Sequence, residues 1–165
     1  MASDGDTTIA TISVGFDSPV KLLADDLYGP EIDALRAQGR RICEFTKLAV
    51  DNAVSSKRIL GGVFHIACIY SYRIQDFSDL IIEINPRHVK FYERMLGFVH
   101  AGPQRLNARV NAPAVLMRLE FAYLRGEVAR LGGRGESALN EKSLYPYFFS
   151  PSEEAGIAGR LIALQ

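Results

Sequence analysis

The sequence predicts an α/β (mixed α+β) fold: a central mixed sheet flanked by helices, in a single domain spanning residues 1–165. Three observations lead there. Segments with strand periodicity alternate with segments of helical periodicity instead of clustering by type. One run, residues 42–84, reads strand, helix, strand, the unit that builds parallel sheet. A chain of 165 residues, 48% hydrophobic and 23% charged, has enough apolar surface for one sizeable core and enough charge to stay soluble.

The elements follow in order. TTIATISVGF (7–16) alternates apolar and polar positions with β-branched residues and reads as a strand. PVKLLADDLYGPEIDALRAQG (19–39) reads as one or two helices interrupted at Gly29-Pro30 and closed by Gly39. ICEFTKLAV (42–50) is a strand, SSKRILGGVFHIACIYSYRI (55–74) a helix opened by a serine cap, and DLIIEI (79–84) a strand. The two strands should be parallel neighbours whose carboxyl ends diverge. In NPRHVKFYERMLGF (85–98), Asn85 is a good helix cap, Pro86 suits the first helical position, and Gly97 suits the left-handed residue that ends a helix. Its faces sort into a basic stripe (Arg87, Lys90, Arg94) and two stripes expected to be semi-buried, Val89/Tyr92/Leu96 and His88/Phe91/Met95. GFVHAG and PAVLMRLEF read as an antiparallel pair, FAYLRGEVARL as a helix, GGRGESALNEKS as flexible, and 151–164 as a last helix. The core is thus expected over about 7–125, with a helical extension at 126–165. Gly61-Gly62, costly inside a helix, suggests a close backbone approach, to the adjacent strand for example.

Composition narrows the function classes. With 19 basic and 19 acidic residues, no global field argues for nucleic acid or anionic lipid, and a charged partner must be met by a local patch. Cys43 and Cys68 sit in apolar segments without metal-ligand spacing, and His65, His88 and His100 do not cluster, so reduced thiols and no metal site are expected. The start, MASDGDTTIATISVGF, lacks the basic and long apolar regions of a signal peptide, and no 18 uncharged apolar residues run together. A cytoplasmic protein without a membrane span is the expectation.

A helix opening straight off a strand leaves its first N–H groups beyond the sheet's carboxyl edge, where open α/β sheets bind ligands. Tyr92 is the polar group on that helix best placed to reach such a ligand. A charge at Glu44, inside an apolar strand and sharing a face with Thr46, is costly unless paired or exposed. Either it meets Lys47 or Arg41 at an edge, or it faces a cleft as a base.

These residues carry a resemblance. A strand followed by N-P-x-x-x-x-F-Y-E-x-x-x-G-F (Asn85, Phe91, Tyr92, Glu93, Gly97, Phe98) resembles the last conserved block of the GNAT acyltransferase superfamily, in which a helix tyrosine protonates the departing thiolate. CEFTKLAVD (43–51) is similar to the strand that holds the pantetheine arm there, and especially resembles the branch using acyl carrier protein donors. That branch contains the long-chain N-acyl amino acid synthases and, more distantly, the autoinducer synthases. With SSKRILGGVFHIACIY and RVNAPAVLMRLEF, the resemblance covers roughly residues 10–125.

The resemblance implies acyl transfer from a thioester to the amine of an amino acid or similar small molecule, with no permanent cofactor. Glu44 would be the base, directly or through water, and Tyr92 the acid. Leu48, Ala49 and Val50 would hold the pantetheine arm, with Asn85 and Phe91 across the cleft, and Phe45, Leu48, Phe64 and Phe91 would line an apolar tunnel for the acyl chain. Coenzyme A users place a glycine-rich turn after the strand to cradle a diphosphate. Here Ser55, Ser56, Lys57 and Arg58 stand in its place, which suits the single phosphate of a phosphopantetheine arm on an acidic carrier protein better than coenzyme A, the alternative donor. Each residue also has a plainer reading: Tyr92 as a core tyrosine, Asn85 as a cap alone, the basic residues as solvated surface. Superfamily members begin with a strand and helices, and the resemblance implies that this chain lacks them. A non-catalytic module that binds acyl carrier protein is therefore the rival class, and an acetyl-coenzyme A acetyltransferase a third.

Overall fold

In a computed structural model, residues 1–4, 7–50 and 56–164 are described. The strands are β1 (Ala2–Asp4), β2 (Thr7–Phe16), β3 (Ile42–Val50), β4 (Asp79–Ile84), β5 (Val99–His100), β6 (Arg105–Asn107) and β7 (Ala112–Glu120). The helices are α1 (Asp25–Ala37), α2 (Lys57–Ile69), α3 (Val89–Leu96), α4 (Phe121–Leu131) and α5 (Pro151–Ala163). The sheet order is β1-β2-β3-β4-β7-β5, with β6 added to β7. Among the described residues only β3 and β4 are parallel; the other pairs are antiparallel.

Alternation along the strands loads both faces of the sheet. Ile42, Ile81 and Leu116 bury against Tyr28, Ile32 and Leu35 of α1 on one face. Cys43, Phe45, Leu80, Ile82 and Met117 pack on the other against Phe64 and Cys68 of α2 and Leu124 and Val128 of α4. Leu144, Tyr145 and Phe148, beyond α4, join that second cluster, so the extension is part of the core. Glycine 61 is explained by the same segment: a Cβ there would lie 3.1 Å from Tyr147, so the close approach is to this loop and not to the neighbouring strand.

Local chemistry sets the boundaries. Ser56 caps α2 by accepting the Ile59 N–H, and the helix ends in a π-type turn, Tyr70–Ile74. Asn85 accepts the Arg87 N–H, Pro86 opens a 3-10 turn (Pro86–His88) that runs into α3, and Gly97 ends it at φ 79°, in the left-handed region that glycine adopts without steric cost. In α1 the break falls on Tyr28 (φ −126°), two residues before Pro30, whose ring interrupts the hydrogen-bond ladder. The segment expected to be flexible contains a 3-10 turn, Gly135–Ser137.

Candidate active site

The parallel pair is short. Ile42, Cys43 and Glu44 pair with Asp79, Leu80 and Ile81, and there the ladder stops. Beyond it β4 stays with β7 through Ile84 and β3 stays with β2 through Val50, so the sheet splits between them. The register of β3 on β2 shifts between Thr11/Ala49 and Ser13/Thr46, and Lys47 takes φ 52°. A bulge bends and twists its strand, and this one lies just beyond the last residue of β3 paired with β4.

The gap holds a cavity of about 470 Å³ lined by residues of both strands and of the helices beyond them. Phe45, Leu48, Phe64 and Phe91, expected as an apolar wall, all line it, and so do Asn85 and Tyr92. The Tyr92 ring is edge-on to Phe91 and Phe98. Burial pushes its hydroxyl above the usual phenol pKa, so it keeps its proton at neutral pH. No described residue hydrogen-bonds that hydroxyl, although it is not sealed from solvent. A protonated, unengaged donor in a largely apolar cavity suits a general acid.

Other expected site residues stand apart. Glu44 is 2% exposed and meets neither Lys47 nor Arg41. Its two oxygens accept the N–H groups of Leu23 (2.9 Å) and Ala24 (3.1 Å), which fastens the turn into α1. It borders a separate 290 Å³ cavity on the α1 face, which shares Thr46 with the larger one. Burial drives its pKa up, as do the nearby charges of Glu83 and Asp25, and the two N–H groups oppose this without cancelling it. Ser56, Lys57 and Arg58 are exposed at the start of α2 and outside the cavity lining. Lys57 lies over the Tyr147 ring, 5.7 Å from its centroid. Ala49 is exposed at the strand end. Ser55 and the Val50 side chain lie outside the described residues.

The cavity also contains Thr46, Lys47, Glu83 and His88, which the sequence reading did not single out. For Glu83 the signal was available: a charge in the otherwise apolar DLIIEI is the same anomaly that drew attention to Glu44. Among the described residues no group of three or more His, Cys, Asp or Glu is placed to hold a metal, and no helix is long and apolar enough to cross a membrane.

The fold matches solved structures of acyl-transfer enzymes. The structure of FeeM, an N-acyl amino acid synthase from uncultured soil microbes, superposes with a TM-score of 0.69 at 30% identity, covering 76% of this chain and 72% of that one. A CoA-dependent acyl-homoserine lactone synthase, BjaI, solved with SAM and isopentyl-CoA, shares the fold at 13% identity and a TM-score of 0.51 over 72% of this chain. The acyl-homoserine lactone synthase LasI does so at 14% identity and 0.50 over 68%. This chain spans 55% and 58% of those two proteins. No curated protein matches it. The class is therefore N-acyltransferase. The family model of the N-acyl amino acid synthase FeeM matches residues 1–120, and the chain belongs to that family.

Proposed function

We propose that the protein moves a long-chain acyl group from the phosphopantetheine arm of an acyl carrier protein to the amine of an amino acid or similar small molecule. The observation that carries this reading is the opened end of β3 and β4, with the Tyr92 hydroxyl unengaged in the cavity behind it. The facing edges at 45–50 and 82–84 are not paired with each other, and an extended pantetheine arm with its two amides can dock between them as an added strand does. Leu48, Ala49 and Val50 would supply one edge. Asn85 would stand at the end of the other, while Phe45, Leu48, Phe64 and Phe91 would take the acyl chain. Tyr92 would protonate the sulfur as the C–S bond breaks.

Two features support a carrier protein as donor. Arg87, in the turn that leads into α3, and Lys90 and Arg94 on α3 are exposed, and Phe91 of the same helix reaches the cavity, so basic side chains stand beside it. Ser56, Lys57 and Arg58 add exposed donors and charge at the start of α2, suited to the single phosphate of the arm. A carrier donor would be met in the cytoplasm. Glu44 as base would have to release a backbone N–H first, or work through water.

The test is to incubate the protein with a long-chain acyl carrier protein thioester, or with the same acyl group on coenzyme A, and a pool of amino acids, and to search for N-acyl products by mass spectrometry. Products from the carrier thioester at a higher kcat/KM than from coenzyme A are expected. Products from coenzyme A alone would transfer the donor role to it, and no product from either would remove the proposal.

A further inference from the structure

Two carboxylates flank the parting of β3 from β4, and they are held differently. Glu44 has both oxygens occupied by backbone N–H groups and is almost wholly buried. Protonating it would set an O–H against a donor that it now accepts from. Glu83 stands two residues beyond Ile81, the last β4 residue paired with β3, and lines the same cavity as Tyr92. One of its oxygens accepts a hydrogen bond from Asn107 Nδ2. Asn107 is buried, and its own Oδ1 accepts the Arg109 N–H at 3.0 Å, which fixes the amide so that its NH₂ faces Glu83. The second Glu83 oxygen has no hydrogen-bond partner among the described residues.

We infer that Glu83 is the carboxylate that receives the proton of the acceptor amine, and that Asn107 is the residue that positions it. This rests on the acyl-transfer reading above. Glu83 takes one proton from the incoming ammonium, and the freed lone pair forms the C–N bond at the thioester carbonyl. The tetrahedral adduct gives up its second N–H proton to bulk water, the C–S bond breaks, and Tyr92 supplies the proton to sulfur. Tyr92 is reprotonated by the proton held on Glu83, through water. The sum is thioester plus ammonium going to amide, thiol and one released proton, with no oxidant or further reactant.

The groups around Glu83 fit that task. Glu44 from β3 and Tyr28 from α1 are near enough to feel its charge. Lys47, His88 and Tyr92 share its cavity. Arg105 of β6, which lies over Tyr28, is already engaged by Glu31. A second carboxylate nearby favours binding of a cationic amine, which a base alone would not ensure.

The experiment measures acyl transfer from dodecanoyl-acyl carrier protein to a pool of amino acids, between pH 6 and 10, by the unaltered protein and by Glu83→Gln, Glu44→Gln and Asn107→Ala. Glu83→Gln is expected to lose about a hundredfold in kcat/KM at pH 7, as removal of a general base does. The loss should shrink as pH rises and free amine accumulates, with thermal unfolding unchanged. Asn107→Ala should lose less, with the same recovery at high pH. Should Glu83→Gln fold poorly, Glu83→Ala regaining activity in added formate is the equivalent result. Transfer by Glu83→Gln at the unaltered rate, a loss of the same size at every pH, or a pH-dependent loss confined to Glu44→Gln would overturn the inference. No transfer by the unaltered protein would overturn the acyl-transfer reading and this inference with it.

Discussion

The β3–β4 pair is stitched shut at its amino end and open at its carboxyl end, within a few residues. At the closed end Asp79 is fully buried and accepts hydrogen bonds from Arg40 Nε and Arg118 Nε, both at 2.6 Å, and from the Ser78 hydroxyl. Ser78 also accepts the Arg41 N–H. At the open end the Tyr92 hydroxyl and one Glu83 oxygen have no such partners among the described residues, and the strand edges part. A satisfied buried polar network adds rigidity, whereas polar groups left to solvent in a cavity are free to meet a ligand. The closed end holds the strands in register so that the open end can be held apart.

Breaking the closed end should have the largest effect. Asp79→Ala leaves the partly buried Arg40 and Arg118 guanidinium groups with only the half-exposed Glu120 as counter-charge, and should cost about 3 kcal/mol, the low end for a broken buried pair, read as a shift in the urea midpoint. Turnover per folded molecule should hold. Unchanged stability would mean that the network does not pin the strands.

At the open end the order of effects reverses. Tyr92→Phe keeps the edge-on contacts with Phe91 and Phe98 and removes only the proton donor. Turnover should fall about a hundredfold, or about 2.7 kcal/mol in the barrier, while the thermal midpoint stays put. A full rate in this variant would take the acid role from Tyr92.

A second closed site sharpens the contrast through pH. His65 Nδ1 accepts the Phe149 N–H and its Nε2 faces Glu154, which also takes the Arg73 guanidinium; this clamps α5 against α2. Burial pushes the Glu154 carboxyl up, but the His65 hydrogen bond and the Arg73 charge outweigh it and hold the pKa at about 2. A folded-state pKa below the unfolded one near 4.3 means stability that is complete above that pH and lost as pH falls toward 2. Asp79 works in the same sense: burial raises it, and its three donors bring it below the usual value. Glu154→Gln should therefore cost on the order of 2 kcal/mol at pH 7 and flatten, without abolishing, the acid limb of a urea-midpoint series from pH 2 to 6. An acid limb unchanged in the variant would remove Glu154 from the account.

The smallest effect is expected outside the cavity. Reversing Arg87, Lys90 and Arg94 to Glu should raise KM for a carrier-protein donor about tenfold, more at low salt, and leave KM for the coenzyme A thioester alone. Equal change for both donors would count against carrier docking on α3.

Much of this was legible in local pattern. The strand bounds 7–16, 42–50 and 79–84 coincide with β2, β3 and β4, because alternation and short apolar runs are properties of neighbouring residues. Ser56, Asn85 and Gly97 could be placed as caps for the same reason: each acts within three residues of itself. Phe45, Leu48, Phe64 and Phe91, named as tunnel candidates because the acyl-transfer resemblance requires an apolar tunnel, do line the cavity. β6 was missed, being three residues without periodicity, and Glu83 was passed over although its anomaly matches that of Glu44.

The sequence by itself determined the α/β order of elements, the cap that launches α3, and the tyrosine set on its first turns, because those depend on residues a few positions apart. Only the tertiary structure decided which polar groups are spent and which are free. Glu44 is tied to N–H groups 20 and 21 residues away, Glu83 to an amide 24 away, and His65 to a carboxylate 89 away. Such partners meet only when the chain packs, and hydrogen-bond satisfaction is a matter of angstroms in space, which spacing along the chain does not encode.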